Sequence, residues 1–297
     1  MRVQINIMLV KVERRSRFVA KGHCKQMGGI VWLASYPKSG NTWVRVLIET
    51  YLASDPDNWT LSDLRLTFSD ALLSRYDGVS ESKVESWNHL NHRDAVLEQI
   101  SSEYGDIKFV KTHSIFNEKY FSEPTQTSFT GAGIYIVRDP RDVCLSFASH
   151  FGLTLNEAAE KMGDIRSKIP KSSSLVEQDI SSWANHVESW IAPKPFPVIV
   201  VRYEDLVADA IAVFGRVLTF SGFDVCSERL QKAAEVSTFR RLKEQEEVGG
   251  FAENSTSGAP FFRKGTTGQW KTELPNDLVT KIERECYVPM AKLGYLI

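Results

Sequence analysis

Four short apolar runs, at residues 30–35, 107–112, 133–139 and 197–203, are spaced along the chain with helix-like patterns between them. Each is too short for a helix and rich in β-branched or aromatic residues, so each reads as a buried strand. A strand apolar along its whole length must be covered on both faces, and parallel strands need helical crossovers to bring the chain back. The alternation predicts an α/β protein of three layers, a central and mostly parallel sheet flanked by helices. Val44, Leu47, Ile48, Tyr51 and Leu52 recur at the helical period over residues 41–53. Further helices are expected at 61–74, 93–104, 140–150, 174–191, 206–221 and 227–236, with a final one after Pro275. Residues 246–260, rich in Gly, Ser and Asn, read as a mobile loop.

The chain of 297 residues carries 36 Lys+Arg against 37 Asp+Glu, a net charge of -1. That balance argues against nucleic acid or an anionic membrane as partner, while leaving room for a local basic pocket. No apolar run approaches the ~18 residues of a spanning helix. Cys24, Cys144, Cys226 and Cys286 form no CxxC pair, which argues against a disulfide framework or zinc site and fits a reducing cytoplasm. Residues 1–28 are basic, with only Glu13 acidic. They read as a poorly structured extension, with an organelle transit peptide as the alternative, and residues 29–297 as one domain.

Ligands of open α/β sheets bind at the carboxyl ends of the strands. There the first run meets YPKSGNTW, a tight turn that opens a helix. Helix N-termini attract anions through the dipole and unpaired N–H groups. Lys38 adds a positive charge, Ser39, Asn41 and Thr42 add donors, and Gly40 admits close backbone approach. From this segment alone, an anion site and a plain βα turn are equally good readings. It is not a Walker A loop, since the lysine precedes the glycine. Three later segments add to it: Lys111 and His113 after the second strand, Arg138 after the third with Ser146 eight residues on, and Arg263, Lys264 and Gly265 in FFRKGTTGQWK.

Together YPKSGNTW, KTH, VRDPRDVCLSF, VRYEDL and RKGTTGQWK, in that order, resemble the soluble, cytosolic-type sulfotransferase family, and the SGNTW spelling is similar to that of bacterial members. The resemblance implies a P-loop NTPase-like sulfotransferase fold. It also implies the co-substrate 3'-phosphoadenosine 5'-phosphosulfate (PAPS) and a small or medium acceptor bearing a hydroxyl or amine. By the same resemblance Lys38, Ser39, Gly40, Asn41 and Thr42 would bind the 5'-phosphosulfate. Arg138 and Ser146 would hold the 3'-phosphate with Arg263, Lys264 and Gly265. Trp43 and Phe239 would stack on adenine, and Tyr203 and Ser237 would hydrogen-bond near it. His113 would be the catalytic base and Lys111 a second cation at the transferring group. The pattern departs at Gln269, where the family usually has an acid, at Ser114 after KTH, and in lacking the KxxxTVxxxE dimer segment.

The chemistry asks for such residues independently. Sulfuryl transfer, by analogy with phosphoryl transfer, gathers charge on the leaving oxygen, where fixed cations and amides stabilise it. A histidine near its ordinary pKa suits removal of the acceptor proton, and no divalent metal is expected. A kinase-like phosphotransferase and an inactive nucleotide-binding module are the competing readings. Blander readings take His89 and His92 as a solvated loop pair, Asp142 as a helix-dipole charge, Tyr203 to Asp205 as a helix cap as well as a nucleotide contact, and Trp183, Trp190 and Cys144 as core. Residues 61–91, the segment after Phe151 and residues 249–262 would form the acceptor pocket, with Trp59, Phe68, Tyr76 and Trp87 as its aromatic candidates.

Overall fold

A computed structural model describes residues 29–64, 68–76, 88–102, 107–251, 253 and 258–296. The expected extension at 1–28, and Trp87 and the Phe68 side chain among the acceptor-pocket candidates, lie outside the described residues. The strands are β1 (Gly29–Ser35), β2 (Phe68–Ser69), β3 (Ile107–Thr112), β4 (Thr130–Val137), β5 (Lys168–Ile169), β6 (Gln178–Asp179) and β7 (Val198–Arg202). The helices are α1 (Asn41–Leu52), α2 (Arg93–Ser102), α3 (Pro140–Phe151), α4 (Leu155–Gly163), α5 (Trp183–Ile191), α6 (Tyr203–Ala208), α7 (Ala210–Phe220), α8 (Ser227–Val236), α9 (Phe239–Gly249), α10 (Trp270–Glu273), α11 (Asn276–Glu285) and α12 (Tyr287–Lys292). Five strands form one sheet in the order β2-β3-β1-β4-β7, every pair parallel, and β5 and β6 make a separate antiparallel pair.

Strand periodicity divides β1 between two cores. Ile30, Trp32 and Ala34 face a layer containing Val96, Leu97 and Ile100 of α2, Val143 and Phe147 of α3, and Trp183 and Trp190 of α5. Val31 and Leu33 face the opposite layer, built from Val44, Leu47 and Ile48 of α1, Phe214 and Val217 of α7, and Ala233 of α8. Both faces being covered is why the strand runs apolar without interruption. Trp183, Trp190 and Cys144 are core, as expected. A third cluster of Val46, Trp59, Leu61, Leu242, Phe251 and Phe262 fastens α9 and the segment after it to α1.

Several expected elements differ. The 61–74 helix is instead two short 3-10 turns, Leu61–Asp63 and Leu73–Tyr76, with β2 between them. The edge pairing of Phe68 and Ser69 with Val110 and Lys111 replaces the helical hydrogen bonds. The 174–191 helix shrinks to α5 because Gln178 and Asp179 pair in β6 and Ser182 caps α5, its side chain accepting the Asn185 N–H. Residues 206–221 divide at Asp209, whose carboxylate accepts the Ala212 N–H and starts α7. The stretch expected to be a mobile loop begins inside α9, and Phe251 is buried. Trp59 and Tyr76 are core residues, Tyr76 donating to the Asp70 carbonyl at 3.0 Å. His89 is not solvated: it is buried with its ring edge-on to Tyr76, 6.0 Å between centroids.

Candidate active site

Parallel pairing brings the carboxyl ends of β1, β3, β4 and β7 to one edge of the sheet, and the register decides which side chains meet there. Ala34 pairs with Thr112, so the next residues out, Ser35 and His113, lie side by side. Val137 pairs with Arg202, which puts Arg138 beside Tyr203, its guanidinium 4.5 Å above the ring.

After β1 the backbone enters the left-handed region twice, at Lys38 (φ 68) and Gly40 (φ 102). Such strain in a lysine is uncommon and clusters at ligand sites. A side chain at Gly40 would strike the Tyr203 ring, its Cβ only 2.6 Å from the nearest ring carbon. Asn41 Nδ2 donates to the Leu33 carbonyl at 2.8 Å and fixes the turn on its strand. Ser39 Oγ is buried without a hydrogen-bond partner, and so is Arg138 Nε. A buried donor left unpaired costs about 1–3 kcal/mol, so two of them at one sheet edge fit an anionic ligand. Another guanidinium nitrogen of Arg138 donates to the Thr266 carbonyl at 3.0 Å.

His113 Nδ1 lies 2.8 Å from the Ser35 carbonyl oxygen, which can only accept. That bond places the ring proton on Nδ1 and leaves the Nε2 lone pair available as a base. Burial, with the charge of Lys111, lowers the His113 pKa to about 3. The near-ordinary value expected of this histidine is therefore not what the free chain provides; it keeps a neutral imidazole. Lys38 is lowered to about 7 by burial and by the charges of Lys111 and Arg138. Burial also lowers Lys111. Lys38 thus feels the positive charges of both Lys111 and Arg138.

The other expected residues make contacts of their own within the chain. Trp43 Nε1 donates to the Ser237 carbonyl at 2.9 Å, while the Ser237 hydroxyl donates to Ala233 within α8. Phe239 lies against Gly265, where any side chain would overlap its ring. Ser146 is half-buried on α3. Arg263 and Lys264 reach toward α10: Arg263 donates to Gln269 at 3.0 Å, and Lys264 pairs with Glu273 at 2.7 Å. Gln269 thus acts as a local partner of Arg263. Asp142 does more than complement the α3 dipole, accepting the backbone N–H groups of Gly268 at 2.6 Å and Trp270 at 3.0 Å. Glu204 does not cap α6; it accepts the Asp139 N–H at 3.0 Å and the Tyr295 hydroxyl at 2.8 Å.

Three residues of the site went unread in the sequence. His150, four residues beyond Ser146 and so on the same helix face, has Nδ1 3.4 Å from Lys38 Nζ. Arg45 and Glu253 form an ion pair at 2.5 Å, and Glu253 also meets Lys111 at 3.2 Å. Glu253 is the lone acid between Val248 and Glu273, the one signal that could have drawn attention to it.

The family model described as "Sulfotransferase domain" matches residues 29–294. A 3-beta-hydroxysteroid sulfotransferase from Cavia porcellus is 22% identical over 244 residues, 80% of this chain and 75% of that protein. A flavonol 3-sulfotransferase from Flaveria bidentis is 24% identical over 272 residues, 86% and 79% of the two chains. Among solved structures, a mouse sulfotransferase complexed with PAP superposes with a TM-score of 0.58 at 20% identity, covering 88% of this chain and 84% of that one.

Proposed function

The chain belongs to the sulfotransferase family, a membership that makes it a PAPS-dependent enzyme and sets the phosphotransferase and inactive-module readings aside; on that premise we propose how its residues divide the work and what it acts on. Lys38, Ser39, Gly40, Asn41 and Thr42 would hold the 5'-phosphosulfate of PAPS. Arg138 and Ser146 would take the 3'-phosphate, with the 263–265 segment nearby. Trp43, Tyr203, Ser237 and Phe239 would frame the adenine. PAPS supplies an activated sulfuryl group.

His113 Nε2 accepts the proton of the acceptor hydroxyl or amine, and its Nδ1–H bond to Ser35 keeps the ring aimed. Lys38 and Lys111 stabilise negative charge at the transferring group. A neutral His113 can accept a proton throughout the physiological pH range. Anionic ligand charge beside it would raise its pKa from the low value of the free chain and strengthen it as a base.

The acceptor we infer is a small molecule with a hydroxyl on a largely apolar frame, by analogy with the steroid and flavonol named for two relatives. Among the described residues no helix is long and apolar enough to cross a membrane. A cytoplasmic setting, and residues 29–297 acting as one unit, complete the proposal.

The observation that carries this reading is the pair of buried, unpartnered donors, Ser39 Oγ and Arg138 Nε, at the sheet edge that also carries Lys38 and His113. Thermal denaturation tests it: adenosine 3',5'-bisphosphate (PAP) should raise the Tm, and ATP should not. A larger shift with ATP than with PAP would overturn it.

A further inference from the structure

Thr42, Arg45 and Lys111 meet on one carboxylate. Thr42 Oγ1 donates to Glu253 Oε2 at 3.2 Å, Lys111 Nζ donates to the same oxygen at 3.2 Å, and Arg45 Nη1 donates to Oε1 at 2.5 Å. Burial works to raise the Glu253 pKa, but the charges of Lys111 and Arg45 overcome it and hold the carboxyl well below the usual range. The three donors come from two elements: Thr42 and Arg45 are one turn apart on α1, and Lys111 lies near the end of β3. They form a cradle of two cations and a hydroxyl, with donors spaced for two neighbouring oxygens of one small oxyanion.

A sulfuryl or phosphoryl group presents neighbouring oxygens much as a carboxylate does. Thr42 and Lys111 are also the residues expected at the phosphosulfate, whereas Arg45 belongs to none of the segments that suggested the function. Two like charges buried without an anion between them would carry a large desolvation and repulsion cost. An anion between Arg45 and Lys111 lowers that cost before the ligand arrives, and Glu253 contacts both. We propose that Glu253 is a substitute for the ligand: an internal counter-ion seated in an oxyanion cradle of Thr42, Arg45 and Lys111, which the sulfuryl end of the co-substrate takes over.

This inference rests on the PAPS reading above. It adds Arg45 as a third cation at the transferring group and makes Glu253 a competitor of the co-substrate. Two anions on the same donors repel each other, so each lowers the other's affinity by one shared coupling free energy.

The test is isothermal titration of the full chain with PAPS, and separately with PAP, at fixed ionic strength. Glu253→Gln keeps the shape and removes the charge; it should bind PAPS more tightly by about 5-fold or more. Glu253→Ala must move in the same direction, which separates loss of charge from misfolding. Arg45→Gln should weaken PAPS binding while the Tm change on PAP addition persists. Equal or weaker PAPS binding by both Glu253 variants would overturn the proposal and leave Glu253 as a fixed support for Lys111. A wild-type chain that bound neither PAPS nor PAP would instead overturn the co-substrate reading itself.

Discussion

His186 is buried and His113 half-buried, and both are held to a pKa of about 3, yet only one is arranged as a base. His186 uses both ring nitrogens: Nε2 donates to the His113 carbonyl at 3.1 Å, and Nδ1 accepts from the Tyr135 hydroxyl at 2.9 Å. His113 is anchored through Nδ1, and among the described residues no side chain or carbonyl bonds its Nε2. The prediction at this scale follows from that asymmetry. His113→Ala should lower kcat by about 10²–10⁴-fold on an acceptor chosen from a panel of phenols and steroids. PAP affinity, measured by titration, should stay close to that of the wild type. Unchanged turnover would remove His113 from the mechanism. A KTH segment marks the histidine in the sequence; the tautomer that makes it a base comes from Ser35, 78 residues away.

Among the elements, the segment from Arg263 to Gln269 depends most on a single distant side chain. Asp142, in the first turn of α3 and 1% exposed, accepts N–H groups from both Gly268 and Trp270. Arg138 bonds the same segment through Thr266. The expected 3'-phosphate contacts from two distant motifs are thus tied together by one carboxylate. Asp142→Ala would leave two backbone donors unpaired, at about 1–3 kcal/mol each. The expected result is a lower Tm together with weaker PAP binding, whereas Asp142→Asn, which keeps one acceptor, should fall between. A lowered Tm with full PAP affinity would mean that the segment does not take part in binding. The helices most clearly legible beforehand, α1 and α8, are those with a clean apolar period. The α4 helix went unread although Thr154 and Glu157 form a capping box at its start, a signal available in the sequence.

Across the whole molecule, buried and half-buried imidazoles tie stability to pH. His113 and His186 at about 3, and His89 and His150 at about 4, remain neutral in the folded chain while the unfolded chain protonates them near 6.5. The unfolded state therefore binds more protons below pH 6.5, and stability falls as the pH drops from there toward 4. Urea denaturation at pH 7.5 and pH 5 should show a clearly lower midpoint at pH 5; equal midpoints would contradict the burial of these rings. The sequence by itself determined the alternation of strands and helices, the apolar runs that demand cover on both faces, and the strand-end segments where ligand chemistry had to lie, because periodicity and turn chemistry are local. Only the tertiary structure decided that Arg45 and Lys111 share Glu253, that Asp142 holds the Gly268 and Trp270 backbone, that Arg263 and Lys264 turn toward α10, and that Phe68 and Ser69 pair at the sheet edge where a helix was expected. Each of these depends on strand register and on which charged groups find one another once water is excluded, and neither is encoded in the spacing of residues along the chain.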